Sequence, residues 1–290
     1  MYTVEHPRKN GREAVRHSVP DHLWEENERF SDLLLTTVHQ HRITRHPIIA
    51  QLDGGQHDQA AQSFFHLEFG HAFAQIFTDA LVQAMFTCAQ LEPRLGALGK
   101  VAARFLLQLN LLDELGFQPN SDTASDYAGN PYLSHYLQFD ATLRQLGISV
   151  EEQRAFRPSA AAVACRRTFE DTYSDHLPLS CVLAISETVF TKFCGPWAKS
   201  VGKGTQIDVS KGYHNIHVEH DGKFIDDDHS EDAWYVLRQA LVPERYDEVV
   251  TRAKASLDTW AVFLDHIATA ASAQSGVPLP ATARREAVAR

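Results

Sequence analysis

The stretch DQAAQSFFHLEFGHAFAQIFTDA, residues 58–80, decides the fold class. Its apolar residues Phe65, Phe69, Ala72, Ile76 and Ala80 follow one another at intervals of three and four, which lines one face of a helix and fits no strand. The spacing predicts a long helix from about Asp58 to Gln90, ended by Glu92-Pro93. The same logic extends in both directions. Asp21 is an N-cap candidate for a helix carrying Leu23, Trp24, Phe30 and Leu33–Leu35, and the Gly-Gly of Gln51–His57 breaks the chain before Asp58. The apolar run Leu95–Leu115 stops at Gly116, and Pro119–Pro131 has loop composition. Helical patterns follow at Tyr132–Leu146, 159–174, 178–200 with Pro196 as a kink, 210–240 and 243–272. Ser149 and Glu152 form a capping-box pattern. No sustained alternation of the strand type and no internal repeat interrupts this series. The expectation is all-α: one helical bundle of about seven to nine helices over residues 20–272, with a flexible arm at 1–19 and a loose tail at 273–290.

Composition narrows the function classes. The 290 residues carry 27 Lys+Arg against 37 Asp+Glu, a formal charge of −10 with no basic cluster, which argues against nucleic acid and anionic membranes as partners. No apolar run approaches the ~20 residues of a membrane span, and the polar N-terminus has no signal-peptide core. The four cysteines form no Cys-x-x-Cys pair, so a reduced, cytoplasmic protein is expected. The outlier is histidine, 16 residues against 8 tyrosines.

Three segments join imidazole to carboxylate. Glu68 and His71 are three apart and share a helix face between phenylalanines; a solvated face is the commoner fate of such a pair. In LPLSCVLAISETVF, residues 177–190, Glu187 is the only charge between His176 and Lys192, and a lone carboxylate on an apolar helix needs a cation, a hydrogen-bond network or a proton. In YHNIHVEHDGKFIDDDHSED, residues 213–232, His214, His217 and His220 recur at intervals of three, His217 and Asp221 are four apart, and His229 follows Asp226 by three. An acidic turn at Asp221-Gly222 explains the acids but not the histidines. His and carboxylate without thiolate suit non-haem iron or manganese better than structural zinc.

In order and spacing these segments, about residues 55–240, resemble the haem-oxygenase-like diiron oxidases, in which one helix gives Glu and His, a second a Glu after a Leu-Pro start, and a third His-x-x-x-Asp-x-x-His. Position 224 is Phe rather than the last His of that pattern, and His229 in DDDHSEDAW is its substitute, displaced by five residues. The resemblance implies a metal set of Glu68, His71, Glu187, His217, Asp221 and His229, with His220, Asp226 or Asp228 as stand-ins on the third helix. It implies two Fe(II) ions, dioxygen as co-substrate and oxidation of a C–H bond of a small metabolite. Within the family the chain looks most like the branches that form alkenes from fatty acids and azetidines from amino acids, and an aliphatic amino acid is the expected substrate. Fatty-acid decarboxylation or N-oxygenation on the same site, a metal-free thiaminase-like enzyme using Cys165 or Cys181, a haem protein and a non-catalytic helical protein are the rivals, and a homodimer is left open. Arg166, Arg167 and Lys192 are the cations near enough in sequence to meet a substrate carboxylate.

Overall fold

The computed structural model describes residues 4–117, 128–217 and 225–275, with the side chains of 225–227 and 272–275 left aside. Among the described residues there is no named strand, only an isolated antiparallel bridge between Phe117 and Gly129. The helices are α1 (Pro7–His17), α2 (Asp21–Gln40), α3 (Pro47–Gly54), α4 (Gln59–Phe69), α5 (Phe77–Thr87), α6 (Glu92–Glu114), α7 (His135–Gln145), α8 (Val150–Ala155), α9 (Ala160–Glu170), α10 (His176–Gly204), α11 (Tyr213–Ile216), α12 (Ile225–Ala240) and α13 (Tyr246–Ser275). The all-α bundle is as expected. The segments outnumber the expected helices because α3, α8 and α11 have eight residues or fewer and because the long second helix is divided.

That division has local causes. Between α4 and α5 the chain makes a π-helical turn, Gly70–Ala74, closed by Gln75 N–H to the Gly70 carbonyl at 3.1 Å. A side chain at Gly70 would meet the Phe139 ring at 3.0 Å, so glycine is what lets α7 approach. The rod ends as expected near Glu92-Pro93: α5 stops at Thr87, a 3-10 turn spans Cys88–Leu91, and α6 turns back on α5, with Arg104 Nε donating to the Met85 carbonyl at 2.9 Å. Pro93 itself sits in the first turn of α6, where its missing N–H is no loss, and the helical dihedrals break at Gly96 (φ 69°) before the chain resumes as a helix to Glu114. Ser149 and Glu152 make the expected capping box.

The arm expected at 1–19 is helical over Pro7–His17. Arg8 and Arg12 hold α1 to α6 and α12: Arg8 pairs with Asp113 (2.6 Å) and Asp232, and Arg12 with Asp232 (2.7 Å) and Asp228 (3.1 Å). Partners more than 100 and 200 residues away leave no mark in local sequence.

Helix α10 is the central element and is buried almost throughout. Phe190, Phe193 and Trp197 on it stack with Phe65, Phe69 and Phe73 from α4 and the π-helical turn, Phe193 meets Trp260 of α13, and Phe263 of α13 meets Phe65. Burying one such ring is worth roughly 2–3 kcal/mol. Two stretches, Gln59–Glu114 and His176–Gly204, are long and apolar enough to cross a membrane, contrary to the run-length expectation, because Ser, Thr and Gly interrupt their apolar runs without making them polar. The most apolar 18-residue window of the second is 89% buried within the protein, so its apolarity serves the core.

Candidate functional site

The cluster of buried acids and imidazoles gathers around the C-terminal end of α6. Glu114, 7% exposed, lies 3.0 Å from Nδ1 of His135, the first residue of α7. Burial by itself would raise the Glu114 carboxyl; the imidazoles of His135, His229 and His217 outweigh it and hold it below the usual carboxylate range. The rings of His135 and His217 meet edge to face at 5.1 Å, and the His217 ring also meets Phe190 and Tyr213 at 4.8 and 4.7 Å. His229, on α12 and 1% exposed, faces Asp113 through Nε2 at 3.0 Å.

Glu187 joins this region from α10. It is 4% exposed and lines a cavity of about 10 Å3 with Asn110 of α6, Ser180 and Leu183 of its own helix, and Ala233 of α12. That is room for one water. Its neighbour Thr188 hydrogen-bonds Ser230 at 3.2 Å and accepts from Trp234 Nε1 at 3.0 Å, tying the turn with Glu187 to the turn with His229. Asn110 in turn reaches the His229 carbonyl, at 3.5 Å.

Helix α11, only four residues long, is held by a second imidazole pair. His66 Nδ1 faces the Gln62 carbonyl at 2.7 Å and therefore carries the hydrogen, so its Nε2 accepts from His214 Nε2–H at 2.9 Å. Gln62 is fixed by Trp197 Nε1–H (3.1 Å) and donates to the Ser200 hydroxyl (2.8 Å). Burial pushes His66 down to about 4, and burial, then the neighbouring His66 and His217, push His214 well below the usual value. Both rings are neutral hydrogen-bonding groups that seat α11, and with it His217.

Of the sequence-expected ligands, Glu187, His217 and His229 come to this region. Glu68 and His71 do not. Glu68 is buried on α4, but its carboxylate accepts from the backbone N–H of Ser159 (3.1 and 3.2 Å) and from the Ser159 hydroxyl (2.6 Å), at the N-terminus of α9. The same hydroxyl accepts from Ala162 N–H, so Glu68 completes a helix cap. His71 lies inside the π-helical turn, where the i, i+3 face relation of an α-helix no longer holds. It is half-buried with Arg166 and Glu170 of α9 for neighbours; burial, then Arg166, lower its pKa. Asp228 is drawn to Arg12. Asp221 and His220 lie outside the described residues, as does the side chain of Asp226. Sequence reasoning missed Glu114 and His135. The test that singles out Glu187, isolation from other charges, does not find Glu114, because Asp113 stands beside it and the pair reads as a solvated helix end.

Among the described residues no three His, Cys, Asp or Glu side chains converge into a ready metal centre. The donor chemistry nonetheless fits a hard or borderline cation: two buried carboxylates and three buried imidazoles in one region, with no thiolate. Cys165 and Cys181, the thiols a metal-free nucleophile would need, are buried, and burial pushes both up, Cys181 to about 12.

No protein-family model matches the chain, and no curated protein matches it. Its fold is similar to two crystal structures of a CADD-like protein of unknown function from Nostoc punctiforme. One, at 2.00 Å resolution, is 17% identical with a TM-score of 0.60, over 85% of this chain and 99% of that one. The other, at 1.35 Å, is 18% identical with a TM-score of 0.50, over 88% and 100%. At such identity the likeness is one of fold, and it covers the bundle that carries the cluster.

Proposed function

We propose that this chain is a haem-oxygenase-like, non-haem diiron oxidase that uses dioxygen to oxidise a small metabolite in the reducing cytoplasm. The observation that carries the proposal is the grouping of Glu114, His135, Glu187, His217 and His229 in one apolar-walled region. Buried carboxylates and imidazoles gathered in one apolar region, with their titration perturbed by one another, are what a cation site requires. Glu114, His135, Glu187, His217 and His229 would hold the iron, with Asp221 as the sixth candidate. Two bound ferrous ions would supply two of the electrons for dioxygen reduction, the oxidised metabolite supplying the other two. The protein's own part is to orient and exclude. Phe190 and Tyr213 wall the His217 ring, the His66–His214 pair seats α11, and the carboxylates offset the cation charge. The cavity beside Glu187 admits one water and no substrate, so the metabolite must approach from another side.

The test is anaerobic Fe(II) titration of the metal-free chain, followed by dioxygen uptake with aliphatic amino acids and with fatty acids. About two Fe(II) per chain and substrate-stimulated uptake are expected. Absence of Fe(II) binding, or binding that survives Glu187→Ala and His217→Ala together, would sink the proposal.

A further inference from the structure

One charged group meets the cluster from its outer side. Asp113 precedes Glu114 on α6, yet its carboxylate turns to α1 and α12: Oδ2 lies 2.6 Å from Arg8 Nη2 and 3.0 Å from His229 Nε2. Arg8 is the hub of this arrangement. Its guanidinium also donates to Asn110 Oδ1 at 2.7 Å and pairs with Asp232, which Arg12 holds from its other oxygen at 2.7 Å. Asp232 is 1% exposed and lies one turn after His229 on α12. Arg8 thus ties α6 to α12 at the level where each carries a buried site residue, with Glu114 on one and His229 on the other. A carboxylate paired with a guanidinium only accepts hydrogen bonds, so the imidazole nitrogen facing it carries the hydrogen.

We propose that Asp113, fixed by Arg8 from α1, is a positioning residue that keeps a hydrogen on Nε2 of His229, so that whenever the ring is neutral it is the Nε2–H tautomer with Nδ1 as the one lone-pair nitrogen for a ligand. The tautomer stands on the described geometry alone. Its consequence, a metal held through Nδ1 of His229, rests on the diiron proposal. A carboxylate behind a ligating imidazole fixes the ring and raises its basicity, and loss of such a partner commonly weakens metal affinity 10–100-fold. Helix α1 then belongs to the site's support.

The experiment is 15N NMR of the histidine rings in the full, metal-free chain at a pH where they are neutral, with His229 assigned through His229→Gln. The wild-type ring is expected as the Nε2–H tautomer alone. Asp113→Asn, close in shape but able to donate, should convert it to Nδ1–H or a mixture, and Arg8→Met should mix the tautomers while leaving the other histidines unchanged. A wild-type Nδ1–H ring overturns the proposal even if neither variant folds. So does Asp113→Asn with an unchanged tautomer. A parallel Co(II) titration separates the two proposals. Wild-type protein that binds no Co(II) or Fe(II) removes the diiron reading and leaves the tautomer to be judged by NMR. Wild-type binding matched by equal affinity in Asp113→Asn overturns the positioning role. The expected result is a 10–100-fold weaker Co(II) affinity in that variant, with Asp113→Glu recovering part of it.

Discussion

Glu68 on α4 and Glu114 on α6 are both buried carboxylates. What differs is what faces them. Glu68 is met by an N–H and a hydroxyl at the start of α9, fixed dipoles that satisfy it completely and leave nothing for a ligand to do. Glu114 is met by imidazoles, groups that can trade a hydrogen bond for a metal or a proton. The same residue type is a structural cap in one place and a candidate reactive group in the other, and the partner decides which.

The sharpest way to break this contrast is to exchange the two roles by mutation. Glu114→Ala should weaken Fe(II) binding roughly 1,000-fold, beyond the loss expected for an outer-shell partner, whereas Glu68→Gln should leave affinity within about twofold. Fe(II) titration of both variants measures this, and the reverse pattern would restore Glu68 to the metal site.

Acid gives the next largest effect. His66 beside Gln62 and His176 beside Thr87 are both lowered from 6.5 to about 4, chiefly by burial. Between those values the unfolded chain binds more protons than the folded one, so stability falls as pH drops from about 6.5 towards 4. Each ring contributes on the order of 3 kcal/mol at full expression. Urea unfolding at pH 7, 5.5 and 4.5 should show this loss, and His66→Gln should flatten its slope. A pH-independent stability across that window would mean the rings are not held neutral.

Smaller still is the cost of the cap. Glu68→Ala leaves the Ser159 hydroxyl and N–H without their acceptor and should destabilise the fold by about 2 kcal/mol, measured by urea unfolding, without touching Fe(II) affinity. Ser149→Ala removes a capping box on the exposed α8 and should cost about 1 kcal/mol or less. A Ser149→Ala effect as large as that of Glu68→Ala would show that burial adds nothing to a cap here.

Much of this was legible in sequence where the signal is local. The helical class, the capping box at Ser149, the apolar α10 and the isolation of Glu187 all follow from residues within a turn or two of each other. Glu114 and His135 escaped because they lie 21 positions apart across a loop, so no helical register links them. Glu68 and His71 misled because a π-helical turn begins between them, which periodicity does not announce. The expected arm at 1–19 is helical over Pro7–His17 because Pro7 starts the helix and its arginines find acids far along the chain.

That last pairing also sets an order of events. Arg8 and Asp232 are 224 positions apart, so during synthesis at about 5–20 residues per second the first helix is made at least ten seconds before its distant partner exists. Until then the basic side chains of α1 have only transient company, and α6 and α12 are not yet bridged. The nascent chain therefore cannot present a finished site early: the described helix that clasps both walls is made before either of them and is among the last to find its place.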